Sequence, residues 1–126
     1  MTLAVVGMGR VGVTLAACLA DMGSVVAAAD CDGARIADLA CGRVAGNEPG
    51  LQGLVEVNLR KARLSFSSAV PEVVSGSHTV FLTVEPELAP DGTFDCNALF
   101  ATAREIAEGL NDFTLVILSS TVPVGT

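Results

Sequence analysis

The residues best suited to chemistry stand near the N-terminus, where Gly7-Met8-Gly9-Arg10-Val11-Gly12 closes a short apolar run ending in Val5-Val6. The spacing Gly-x-Gly-x-x-Gly at a strand-to-helix junction suits a dinucleotide phosphate cradle, in which each glycine has its own job. Gly7 allows the tight turn, Gly9 lets the backbone approach a pyrophosphate, and Gly12 lets the helix pack against the sheet. The helix that follows aims unpaired N–H groups and its positive dipole end at the phosphate. Glycine-rich turns that bind nothing share this spelling, so context decides. The context needed is an acid about 20 residues on, at the end of the second strand. Asp30, after Val25-Val26-Ala27-Ala28-Ala29, meets it. Its carboxylate would accept hydrogen bonds from the adenine ribose, and its charge would repel the 2′-phosphate of NADP, which favours NAD. The plainer alternative makes Asp30 a solvated strand end or a helix cap. Arg35 has two readings of equal weight, over the adenosine end of a cofactor or simply on the surface.

Such a site needs strands ending at one edge of a sheet with helices starting there. Thr2–Val6 reads as the first strand, apolar enough to be covered on both faces. A helix over about 11–22 follows, with Val11, Leu15, Cys18, Leu19 and Met22 at helical spacing, which makes Cys18 a packing residue. Val25–Ala29 is the second strand. The next helix starts near Gly33, carries Ile36 and Leu39 inward and stops at Gly42. Asn47-Glu48-Pro49-Gly50-Leu51 reads as another helix start, with Pro49 in the first turn and Glu48 near the positive dipole end. Leu51, Leu54, Val55 and Leu59 form its face, and Arg60, Lys61 and Arg63 gather at its C-terminal end. Leu64-Ser65-Phe66 is a third strand, 69–75 a short helix closed by Gly76, and 79–84 a fourth, central strand. The stretch 85–93, with Pro86, Pro90 and Asp91-Gly92, reads as a loop at a strand's carboxyl end, where α/β sheets bind ligands. Asp95 can cap a helix to about Glu108, with Leu99, Ala103, Ile106 and Leu110 inward, before a fifth strand at 113–118. Alternating strands and helices predict an α/β, Rossmann-type doubly wound parallel sheet of about five strands in one three-layer domain. The ends of the first, fourth and fifth strands should then flank one crevice.

Composition removes several function classes. The chain has 126 residues, 51% of them hydrophobic, and a formal charge of −7 with one lysine. Its only aromatics are five phenylalanines. A nucleic-acid binder would show a basic patch or stacking aromatics, so that class is disfavoured. The apolar run from Val11 to Ala29 could pass for a membrane span, but Asp21 and Gly23 split it into helix and strand, so no membrane partner is expected. Cys18, Cys31, Cys41 and Cys96 have no metal-ligand or Cys-x-x-Cys spacing, and no secretory signal precedes them. Free thiols in a cytoplasmic protein, with no metal, are the expectation. His78 reads as a strand-edge residue.

Together, Gly7–Gly12, Asp30-Cys31-Asp32, Glu48-Pro49-Gly50-Leu51, Arg63-Leu64-Ser65-Phe66 and Ser120-Thr121-Val122-Pro123-Val124-Gly125-Thr126 resemble the UDP-glucose/GDP-mannose dehydrogenases in order and spacing. The last segment is the specific one, because a generic dinucleotide fold has no reason to carry it. The resemblance covers 1–126 as an NAD-binding domain, the N-terminal part of a longer enzyme whose central helix and sugar-nucleotide domain lie elsewhere. It implies that Gly7, Met8, Gly9, Arg10, Val11 and Gly12 hold the pyrophosphate and that Asp30 and Arg35 hold the adenosine ribose. Val84, Glu85 and Pro86 would line the nicotinamide side, with Thr121 beside the nicotinamide and the catalytic centre. The family oxidises the C6 alcohol of a nucleotide sugar to a carboxylate in two NAD-dependent hydride transfers through a cysteine thioester. That cysteine lies in a Gly-Gly-x-Cys context which none of the four cysteines shares. Cys41, between Ala40 and Gly42, is not that nucleophile. A homo-oligomer is implied for the full-length protein. Two departures stand out: Arg10 replaces the usual tyrosine, and Glu85-Pro86-Glu87 replaces Pro-Thr-Pro, removing a hydroxyl and adding two negative charges. The rival is a ligand sensor of the potassium-channel regulatory type, which shares Gly-x-Gly-Arg-x-Gly and the acid. It lacks a counterpart of Ser120–Thr126, and this chain has no Gly-Asp-Ala after the third strand.

Overall fold

The computed structural model describes residues 2–126. Strands β1 (Thr2–Val6), β2 (Val25–Ala29), β3 (Leu64–Ser67), β4 (Thr79–Leu82) and β7 (Leu115–Leu118) form one parallel sheet in the order β3-β2-β1-β4-β7. Helices α1 (Arg10–Asp21), α2 (Gly33–Ala40) and α3 (Leu51–Arg60) cover one face, and α4 (Val70–Ser75) and α5 (Asn97–Gly109) the other. The pleat of β1 explains why two cores form: Val5 joins Val13, Ala17 and Val55 on the first face, while Ala4 and Val6 join Val74, Leu82 and Ile106 on the second. β1, β4 and β7 are neighbours, as the crossover argument requires.

Several local expectations change. In α1 the buried residues are Gly12, Val13, Ala16, Ala17 and Ala20, while Cys18 is exposed and Met22 is 83% exposed. Small residues face the sheet because they allow close approach, and Leu15 and Leu19 pack beside that stripe rather than along it. In α5 the inward residues include Thr102 and Gly109 in place of Ala103 and Leu110. A Cβ on Gly109 would strike the Pro71 carbonyl of α4, so that crossing demands glycine.

Pro49 lies before α3 rather than in its first turn. The Leu51 N–H donates to the Glu48 carbonyl at 3.2 Å, and Gly50 has φ +81° and ψ −11°, which is a type II turn with Pro49 and Gly50 at its centre. Asn58 is fully buried on α3, its amide donating to Leu54 O at 2.9 Å and Asp21 Oδ1 at 3.3 Å. Gly42 does end α2, with φ +81° and the paired bonds of Gly42 N–H to Leu39 O and Arg43 N–H to Asp38 O.

The stretch after β4 is not a plain loop. It folds as an antiparallel hairpin of β5 (Glu87–Leu88) and β6 (Phe94–Asp95). Asp91-Gly92 makes its turn, where the Thr93 hydroxyl and N–H bond Asp91 and hold its carboxyl below the ordinary range. Asp95 accepts from the Asn97 N–H at 2.9 Å from one position before the cap, which is Cys96. β4 stops at Leu82, two residues early, and β7 starts at Leu115, leaving Phe113 89% exposed. His78 is exposed immediately before β4.

Candidate functional site

The turn after β1 is built from buried polar contacts. Gly7 has φ +105°, and its N–H donates to Ala29 O at 2.8 Å. A side chain there would be strained and would also meet Val84, whose backbone N would lie 2.9 Å from an added Cβ. A Cβ on Gly12 would collide with the Gly7 carbonyl oxygen and come within 2.8 Å of Thr83 Oγ1. Gly9, in contrast, has nothing within 4 Å of where a Cβ would stand. Close packing therefore claims Gly7 and Gly12, and open space claims Gly9. No side chain caps the α1 N-terminus, and no acid lies in its first turn, so its first N–H groups face that space unpaired.

Asp30 fastens this turn to the end of β2. It is 8% exposed, with Oδ2 accepting from the Met8 N–H at 2.7 Å and Oδ1 from the Asp32 N–H at 2.9 Å. Arg35 completes the group, donating from Nη1 to Asp30 Oδ2 at 3.2 Å. Asp30 is thus neither a solvated strand end nor the cap of α2. Asp32 is that cap, accepting from the Arg35 N–H at 3.2 Å. Thr83 is the residue that sequence reasoning missed. Its hydroxyl lies 2.7 Å from Gly7 O and 3.1 Å from Val6 O, both buried contacts. The available signal was a lone hydroxyl at the end of the apolar run Val80–Leu82.

A cleft of about 470 Å³ opens beside the turn, lined by Met8, Gly9, Arg10 and Val13, by Arg35, Asp38 and Leu39, and by residues 43–48 and Leu51. Ion pairs neutralise its rim: Arg43 with Asp38 at 2.8 Å, and Arg10 with Glu48 at 3.5 Å. Val11, at the same helix end, is 44% exposed and outside the cleft.

Val84, Glu85, Pro86 and Thr121 gather elsewhere, around the ends of β4 and β7. The Ser119 N–H and Ser120 hydroxyl bond the Leu82 carbonyl at 2.9 and 3.4 Å. Thr121 donates its N–H to Glu85 Oε2 at 2.9 Å. The added charge of Glu85 is therefore partnered within the chain. Val84 lies against Gly7 and packs on the same core as Val122.

A family model described as the UDP-glucose/GDP-mannose dehydrogenase family, NAD binding domain, matches residues 1–126. The chain belongs to this family. A UDP-glucose 6-dehydrogenase of Rhizobium meliloti is 40% identical over 127 residues, covering 100% of this chain and 29% of the relative. One from Bacillus subtilis is 36% identical, covering 98% and 27%. Among solved structures, a ternary complex of GDP-mannose dehydrogenase from Pseudomonas aeruginosa superposes with a TM-score of 0.92 at 27% identity, over 97% of this chain and 29% of that one. A UDP-glucose dehydrogenase from Pyrobaculum islandicum gives 0.89 at 35% identity, over 98% and 29%. The chain thus spans under a third of the length of these dehydrogenases.

As an NAD-binding domain of the UDP-glucose/GDP-mannose dehydrogenase family, the chain takes NAD as its cofactor. The residues present fit that group on structural grounds: an uncapped helix N-terminus, the open side of Gly9 and a buried acid at the end of β2. All four cysteines are free, three of them exposed. Among the described residues, no three His, Cys, Asp or Glu side chains are grouped to hold a metal ion, and no helix is long and apolar enough to cross a membrane.

Proposed function

We propose that this chain is the cofactor-binding part of a nucleotide-sugar 6-dehydrogenase, an enzyme that oxidises the C6 alcohol of a UDP- or GDP-sugar to the uronic acid. The observation that carries the reading is the match of residues 1–126 to the family's NAD-binding domain. NAD supplies the hydride acceptor, and full oxidation of the alcohol with one water uses two NAD and yields two NADH. The chain's own residues bind and orient. Gly9, Arg10, Val11 and Gly12 present the N–H groups of the α1 start to the pyrophosphate, and Gly7 and Met8 shape the turn beneath it. Asp30, fixed by Met8 and Arg35, turns its remaining acceptor capacity to the adenosine ribose, with Arg35 alongside. Val84, Glu85 and Pro86 flank the nicotinamide, and Thr121 stands between it and a catalytic centre built from residues beyond this domain.

The names of the relatives support a nucleotide-sugar substrate, and the same reading makes the protein a cytoplasmic homo-oligomer without nucleic-acid or membrane partners. The sensor alternative gains no support, because the family model and the relatives above are dehydrogenases. Calorimetric titration with NAD, NADH and NADP tests the cofactor reading. NAD and NADH should bind and NADP should bind more weakly, since a 2′-phosphate would meet Asp30. A folded chain that binds none of them, or prefers NADP, overturns it.

A further inference from the structure

Three arginines rim the cleft, and they are not held alike. Arg35 and Arg43 each pair with an acid five residues earlier, Asp30 at 3.2 Å and Asp38 at 2.8 Å, within or beside their own helix, and Arg35 also lies 3.9 Å from Asp32. Arg10 pairs with Glu48 across the cleft, at a looser 3.5 Å and with side-chain exposures of 82% and 47%. The segment 45–50 that carries Glu48 is exposed or half-exposed throughout. This ion pair therefore ties the α1 N-terminus to the strap between α2 and α3. Arg10 also adjoins Gly9, the open position of the turn.

We propose that Arg10 is an exchangeable phosphate ligand, held by Glu48 in the free chain and surrendered to the dinucleotide pyrophosphate on binding, so that Glu48 acts as a built-in competitor that sets cofactor affinity. The proposal rests on the cofactor reading above. An exposed ion pair is weak and screened, whereas a guanidinium against phosphate oxygens makes short, charge-assisted and often bidentate bonds. Arg10 is the first residue of α1, so its side chain can swing from one anion to the other without moving the helix. Its departure leaves Glu48 unpaired and the 45–50 strap free of its tie to α1.

A double-mutant cycle read by calorimetry with NAD and with ADP-ribose tests this, since ADP-ribose keeps the pyrophosphate and lacks the nicotinamide. Glu48→Gln should tighten both ligands about two- to fivefold, the range that an exposed ion pair allows. Arg10→Gln should weaken both about tenfold and flatten the salt dependence. Glu48→Gln placed in the Arg10→Gln background should change nothing. Both side chains are exposed, so the variants keep the fold, and unchanged melting curves check this. NAD binding indifferent to either substitution, or an equal gain from Glu48→Gln in both backgrounds, overturns the exchange alone. Failure of the unaltered chain to bind NAD overturns the cofactor reading and the exchange with it.

Discussion

Around Gly7, polar atoms are fixed in the interior: Met8 to Asp30, Thr83 to Gly7, and Gly7 to Ala29. Around Thr121 the link to Glu85 is exposed, and the neighbouring strand β7 shows Leu115, Val116 and Leu118 at 50%, 42% and 44% to solvent. The centre of the sheet's carboxyl edge is thus built by the same contacts that hold the domain together. The β7 end is joined through exposed contacts. Stability and cofactor binding should therefore be coupled at the close-packed residues of the first region, though not at the open Gly9, and separable at the second.

The glycine pair Gly12 and Gly9 gives the largest contrast. Gly12→Ala forces a Cβ against the Gly7 carbonyl, where only backbone movement relieves the clash, and should destabilise the domain by about 3 kcal/mol or more. Gly9→Ala meets nothing and should leave stability within about 0.5 kcal/mol while weakening NAD. Urea denaturation of both variants decides. Equal midpoints would remove the distinction between a packing glycine and an access glycine.

Asp30→Ala comes next. It strips a buried acceptor from the Met8 N–H and should cost about 1–3 kcal/mol of stability. The same change should weaken NAD about tenfold or more, the worth of a hydrogen bond to a charged acceptor. A folded variant with unaltered NAD affinity would sink the ribose assignment and leave Asp30 a purely structural clamp.

The regions differ as well in how much of them the sequence made legible. Gly7, Gly12 and Asp30 could be placed because backbone requirements restrict residue type at those points: a positive φ, a closed space and an acid at a strand end. The inner face of α1 could not be placed from hydropathy, which ranks Leu15 and Met22 above Ala16 and Ala20. Close approach to the sheet selects for smallness instead, as it does at Gly109 against Pro71. At Pro49-Gly50 two valid local signals compete, and the glycine's positive φ turns the proline into a turn residue rather than a helix starter. The Thr121 segment was legible as a family motif, whereas its bond to Glu85 depends on two strand ends meeting 36 residues apart in the chain.

The smallest expected effect tests the exposed side directly. Thr121 is held through its backbone N–H, so Thr121→Ala leaves the contact with Glu85 intact and should keep stability within about 0.5 kcal/mol. On the proposed reading, in which the Thr121 hydroxyl serves the substrate rather than the cofactor, NAD affinity of this chain should likewise change by less than about twofold. Glu85→Gln, which keeps an acceptor oxygen for the same N–H, should behave alike. Calorimetry on the two variants reads both quantities. A large loss of NAD binding in Thr121→Ala would mean that the hydroxyl holds the cofactor itself, and the carboxyl end of β7 would then belong with Gly7 and Asp30 as part of the prebuilt site.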